Sequence, residues 1–115
     1  MMRGEVHWAR LAPRSGSEQR GERPVVVVSD DAFNEAPGWQ TLIVVPLSTS
    51  SKQARRGPTA VPLPRGSGGL PADSIALCHQ VTTLDRAKLA RRMGRLPDDL
   101  VAQVGAGLRA ALDLV

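Results

Sequence analysis

Thirteen of the fifteen basic residues in this chain are arginine. Arginine offers a planar fork of N–H donors that matches phosphate and carboxylate oxygens, so a chain rich in it is equipped to hold anions. With 11 acidic residues the formal net charge is +4, a balance that favours nucleic acid or an acidic protein segment as partner. Arg14, Arg20, Arg55, Arg56, Arg91 and Arg92 are candidates for phosphate contacts. Surface solubility accounts for the same residues equally well, and a GC-rich coding bias would produce the same preference for arginine. Other chemistries find little support. Cys78 is the single cysteine, which excludes an internal disulfide and a multi-cysteine metal site, and its apolar run Ser74-Ile75-Ala76-Leu77 marks a buried structural thiol. His7 and His79 are the only histidines and do not make a zinc site. Gly66-Ser67-Gly68-Gly69 lacks the spacing and the Lys-Ser/Thr ending of a phosphate-cradling loop and reads as a structural turn. No metal or cofactor is expected.

These side chains need a scaffold, and 115 residues allow one compact domain. Aromatics make up only 3%, so the core must be aliphatic. Phe33 and Trp39 could stack on a base, although core or interface packing is the commoner use of so scarce a resource. Glu5 to Leu11 reads as a first strand. Arg14 to Arg23 is polar and without period, hence a loop. Pro24 opens a buried strand through Val25-Val26-Val27-Val28. Asp30 to Gly38 connects it to a second buried strand, Thr41 to Leu47, where Pro46 requires a bulge or an edge. Ser48 to Gly57 is a polar, basic loop, Thr59 to Leu63 a further strand, Ser74 to Val81 another, and Ala90 to Leu96 a basic last one. The period then changes. Leu100, Val101, Val104, Leu108, Ala111, Leu112 and Val115 recur every three or four residues, which predicts a helix with one apolar face. Pro97 suits its first turn, and Asp98 and Asp99 complement its dipole. Gly105 and Gly107 each weaken it by ~1 kcal/mol relative to Ala. The expected fold is mainly β with a C-terminal helix, a small antiparallel barrel or curled sheet. No stretch approaches the ~20 apolar residues of a membrane span, and the N-terminus lacks a signal-peptide core. A cytoplasmic protein with no membrane partner is expected.

Five blocks, in order, resemble the MazF/PemK toxin family. Gly16-Ser17-Glu18-Gln19 followed by Arg23-Pro24 and the valine run is similar to the family's signature. Gly4-Glu5-Val6 with Trp8 resembles its opening strand, and Ser29-Asp30-Asp31-Ala32-Phe33-Asn34 its post-strand turn. Asp73 to Gln80 followed by Thr83-Leu84-Asp85 resembles a further block, and Arg92-Met93-Gly94-Arg95-Leu96 leads into the helix as the family does. The resemblance runs over nearly the whole chain. It implies an SH3-like barrel shared with the gyrase poison CcdB, a homodimer, and a toxin silenced by an acidic MazE-like antitoxin. It also implies metal-independent cutting of single-stranded RNA to 2′,3′-cyclic phosphate and 5′-hydroxyl ends.

On that resemblance Arg23 matches the active-site arginine and Ser48 a Thr/Ser at the end of a strand, so both are candidate catalytic residues. An arginine fork suits the charged phosphorane of such a reaction; its guanidinium is a poor general base because it scarcely deprotonates. Arg23 could instead pair with Glu18 or Glu22, and Ser48 could be a turn residue. Ser17, Glu18, Gln19, Arg20 and Gln80 are the candidate RNA contacts. His79 has the intrinsic pKa for proton transfer, but relatives usually carry an acidic residue there. Asp30 and Thr82 depart from the family's usual Asn and Arg. Two other functions compete: a gyrase-binding toxin of the CcdB kind, and a non-catalytic SH3-like RNA-binding module.

Overall fold

In a computed structural model, which describes residues 1–11 and 21–114 with the Arg56 side chain excepted, the strands are β1 (Glu5–Leu11), β2 (Gly21–Val27), β3 (Thr41–Ser48), β4 (Ala60–Leu63), β5 (Ser74–Leu77), β6 (Thr82–Asp85) and β7 (Leu89–Arg95). The α-helices are α1 (Asp31–Asn34) and α2 (Asp98–Leu112), and short 3-10 turns cover Ser51–Thr59, Ser67–Gly69, Cys78–Gln80 and Arg86–Lys88. The strands form one antiparallel sheet in the order β4-β5-β3-β2-β1-β7, with β6 also paired to β3.

Both faces of the central strands are covered, which is why they read as unbroken apolar runs rather than alternating ones. Val26, Val45 and Leu47 join a core with Val6, Val61, Leu63 and the α2 residues Leu100 and Val104. Val25, Val27, Leu42 and Val44 point to the opposite face and pack with Ala9, Leu11 and Leu84. Successive side chains of a strand alternate in direction, so one valine run feeds two cores. Each fully buried Val or Leu contributes roughly 1.5–3 kcal/mol.

The curled sheet closes without a ladder between its ends. The Gly66–Gly69 turn after β4 lies directly on β7: a Cβ on Gly94 would stand 2.7 Å from the Gly68 carbonyl carbon, and one on Gly68 2.6 Å from Val6 Cγ2. The turn is structural, as expected, and glycine is what lets two backbones touch there.

Several boundaries differ from the sequence reading. Gly21 to Arg23 belong to β2 rather than to the preceding loop, because they pair with β1 from Leu11–Gly21 to Ala9–Arg23. Pro24 is therefore inside the strand, at a position paired with Trp8 of β1 and outside the β2–β3 ladder. The connection from Asp30 to Gly38 contains α1, capped by the Asp30 carboxylate, which accepts from Ala32 N–H at 2.8 Å. The basic segment after β3 winds into 3-10 turns over Ser51–Thr59, broken at Gly57, whose φ is 75°. The strand read as Ser74 to Val81 ends at Leu77; a turn over Cys78–Gln80 follows, and then β6, which the sequence reading did not separate. Pro97 precedes the helix as its cap residue rather than opening its first turn. Leu112 is 54% exposed, so the packed face of α2 ends before it; Val115 lies outside the described residues.

Gly107 has a role beyond weakening the helix. It is buried where α2 crosses β4 and the Cys78 turn, and a Cβ there would lie 2.7 Å from both Cys78 Sγ and Val61 Cγ2. Cys78 itself is fully buried, and burial pushes its thiol up to about 11. Gly105 faces only the tip of Arg3, at 3.4 Å. The two glycines should therefore respond in opposite directions to the same change. Gly105→Ala is expected to stabilise the fold by up to ~1 kcal/mol, whereas Gly107→Ala should cost about 1–2 kcal/mol through overpacking. Urea unfolding of both variants checks this, and equal gains would show that α2 does not need the close approach.

Candidate functional site

A proline parts β2 from β3. The β2–β3 ladder comprises Val27–Val44, Val26–Val45 and Val25–Pro46. Continuing that register would set Arg23 opposite Ser48, but Val28 N–H donates to the Ile43 carbonyl, so alternate residues of β2 face β3 and Pro24, which has no N–H, falls where the next donor is needed; the ladder stops there. On its other side β3 pairs with β6 as far as Val44 and with β5 only from Leu47, so Pro46 sits where the strand changes partners. That is the irregularity its sequence position requires. Beyond it the strands leave a recess of about 210 Å3, lined by Arg23, Ser48, Trp8, Glu22, Leu70 and Ser74, among others.

The structure thus brings Arg23 and Ser48 to one recess from separate strands. Arg23 is exposed, whereas Ser48 is 7% exposed. The Ser48 Oγ accepts from the Ser50 backbone N–H at 3.1 Å. With an acceptor site of the oxygen so used, the hydroxyl proton is directed to other partners, a phosphoryl oxygen in the recess among them. The floor is apolar, which strengthens any charge interaction made above it.

Gln80 does not line this recess. It is half-buried in the Cys78–Gln80 turn, its amide 3.3 Å from His79 Nε2. Ser17, Glu18, Gln19 and Arg20 lie outside the described residues. Trp8, Glu22 and Ser74 were missed as site residues by sequence reasoning. Trp8 and Ser74 stand inside quoted motif blocks, but only the strand register shows that they flank the arginine.

The remaining cations divide between structure and surface. Arg86 donates to the carbonyls of Trp39, Phe33 and Asn34, which ties the α1 loop to the β6–β7 turn. Arg95 pairs with Asp98 at 3.1 Å. Arg92, a phosphate candidate, stands 3.3 Å from Glu5 Oε1, and His7 Nε2 stands 3.0 Å from the same oxygen. Phe33 and Trp39 stack on each other at 5.3 Å, about half exposed. Among the described residues, no cluster of three or more His, Cys, Asp or Glu could hold a metal ion, and no helix is long and apolar enough to cross a membrane.

A basic curled sheet with a terminal helix and a recess lined by Arg23 and Ser48 defines a small, mainly β domain. The chain belongs to the family described as PemK-like, MazF-like toxin of type II toxin-antitoxin system, which it matches over residues 2–112. It is 37% identical over 112 residues to the endoribonuclease MazF6 of Mycobacterium tuberculosis, covering 97% of this chain and 96% of that protein. Its fold is similar to that of crystalline MazF from Deinococcus radiodurans, with a TM-score of 0.80, 28% identity, and 99% of this chain and 97% of that one covered. The MazE–MazF complex of the same organism gives 0.74 at 28% identity, covering 100% and 97%.

Two carboxylates on the N-terminal strand and α1 carry a pH dependence. Burial pushes Glu5 up, but hydrogen bonds with His7 and the Met2 N–H, together with the charges of His7 and Arg92, outweigh it and hold Glu5 below its ordinary 4.5. The Arg3 N–H, donating at 2.6 Å, chiefly holds Asp31 below 3.8. Both groups bind protons more weakly in the folded than in the unfolded chain, so their stabilisation is present above about pH 5 and is lost as pH falls through the folded values. Thermal unfolding should show the melting temperature dropping below pH ~4.5, with a shallower drop in Glu5→Gln. An identical acid profile in that variant would remove Glu5 from the account.

Proposed function

We propose that the chain is a toxin endoribonuclease that cuts single-stranded RNA by using the 2′-hydroxyl of the substrate as nucleophile. The observation that carries this reading is the convergence of Arg23 and Ser48 on one recess. The 2′-oxygen attacks the adjacent phosphorus, the bond to the 5′-oxygen breaks, and the products are a 2′,3′-cyclic phosphate and a 5′-hydroxyl. One proton leaves the attacking oxygen and one arrives at the leaving oxygen. Between these events the phosphorane carries extra negative charge on its equatorial oxygens. Arg23 holds that charge with a two-pronged donor, and Ser48 adds a hydroxyl donor from the opposite wall. Neither role requires a metal ion.

Similarity to MazF proteins, one of them solved with MazE, supports an antitoxin as the natural inhibitor. An acidic segment that fills the recess would meet Arg23 as a phosphate does. The working form is a homodimer in the cytoplasm; exposed Phe33, Trp39 and Ile43 offer apolar surface for a second copy to cover. The CcdB-like reading gives Arg23 and Ser48 no task, and a non-catalytic module would use them only to hold RNA.

Purified protein incubated with a long RNA in excess EDTA is expected to produce discrete cuts with 5′-hydroxyl ends, mapped by primer extension. Arg23→Ala should slow cutting by at least ~100-fold, and Arg23→Lys should recover only part, since a point charge replaces a fork. Undiminished cutting by folded Arg23→Ala would exclude this site.

A further inference from the structure

A second recess, about 360 Å3, adjoins the Arg23–Ser48 recess and is lined by Trp8, Ala9, Glu22, Ala90 and Arg91. Trp8 and Glu22 line both. The register explains why. Trp8 on β1 is paired with Pro24, next to Arg23, on one side and with Arg91 on the other. The backbones of Pro24 and Arg91 are two strand spacings apart, about 10 Å. Trp8 thus stands on the strand between those that carry Arg23 and Arg91, both exposed, level with Arg91 and beside the Arg23 recess.

From this arrangement we propose that Trp8 is a stacking platform for a base flanking the cleaved phosphate, with Arg91 holding the next phosphate along the strand. The proposal rests on the ribonuclease reading of the Arg23–Ser48 recess. Three features support it. Trp8 is half-buried, so packing holds the ring while part of it remains accessible. The protein's other aromatic residues, Phe33 and Trp39, are stacked on each other at the opposite end of β3, which leaves Trp8 as the π-surface beside Arg23. Glu22 also shares the wall, and its carboxylate repels phosphate. The backbone is therefore steered to the arginines, and a base sits over the ring. Glu22 can accept a hydrogen bond from an amino or imide N–H of that base. Arg91 is the cation for the outer phosphate, because neighbouring Arg92 is engaged by Glu5.

The test is a cycle between the ring and the base. An RNA oligonucleotide bearing the mapped cleavage sequence is made with an abasic nucleotide at each flanking position in turn. Cleavage by wild type, Trp8→Phe and Trp8→Ala is then compared as kcat/KM. At one flanking position, loss of the base should slow wild type about 10- to 100-fold. Trp8→Phe should keep most of that sensitivity, and Trp8→Ala, already slow, should lose no more than about 3-fold further. Multiplying losses at every position, or wild-type rates in Trp8→Ala, would overturn the stacking role while leaving the nuclease intact. A wild type that cuts no RNA would instead remove the reading beneath it. A second readout does not depend on the stability of Trp8→Ala. In Trp39→Phe the only tryptophan is Trp8, and RNA made uncleavable by a 2′-deoxy nucleotide should quench its fluorescence on binding. Unchanged emission at saturation would overturn the proposal.

Discussion

The recess exists because the β2–β3 ladder cannot continue past Val25 and Pro46. Two neighbouring strands that kept their hydrogen bonds to the end would bring Arg23 and Ser48 side by side on a closed surface. Pro24 removes the donor from the β2 side of that ladder, and Pro46, whose nitrogen faces the other edge of β3, sits where β3 turns from β6 to β5. The wedge so opened is lined on one wall by the arginine of β2 and on the other by the hydroxyl of β3. The remaining architecture keeps the wedge rigid. Two cores grip the valines just behind it, and the glycine turn on β7 holds the far ends of the sheet together.

Charge is deployed unevenly around that wedge. Arg86, Arg92 and Arg95 are bound to carbonyls or carboxylates of the protein and hold its loops and strands in place. Arg23 and Arg91 instead line recesses. A net charge of +4 therefore understates the local field, since among the described residues the arginines that line the recesses are not the ones in these pairings. Composition alone cannot make this division, because it depends on which carboxylate each side chain faces.

Much of the fold was legible in the residues. The β-branched runs marked β2 and β3, the three–four spacing marked α2, and the quoted blocks carried the family, because each reports a local or periodic constraint. What escaped was set by pairing across the chain. Gly21 to Arg23 look like a loop until β1 supplies a partner. The break at Cys78 is invisible because Ser74 to Val81 is apolar enough for a single strand, and only the turn of Cys78 toward α2 divides it. Gly107 looked like a flaw in a helix and is a contact point. Arg23 and Ser48 were candidates through resemblance, and their convergence on one recess follows from the register. Trp8 was quoted only as a strand residue, since nothing local says that its neighbours are Pro24 and Arg91.

The position of Arg23 also bears on how the site works. Gly21 to Pro24 pair with β1 alone, whereas Val25 and Val26 pair on both sides and are fully enclosed. A strand held on one edge opens at lower free energy than one held on two. Three residues along the chain, from Arg23 to Val26, thus pass from a yielding rim to the stiffest part of the sheet. In the proposed reaction the arginine could then adjust to a phosphate as its geometry changes, while the valines behind it fix where it starts. Moving the same side chain two residues inward would bury a guanidinium among valines at prohibitive desolvation cost. The rim is where an arginine can be both anchored and wet.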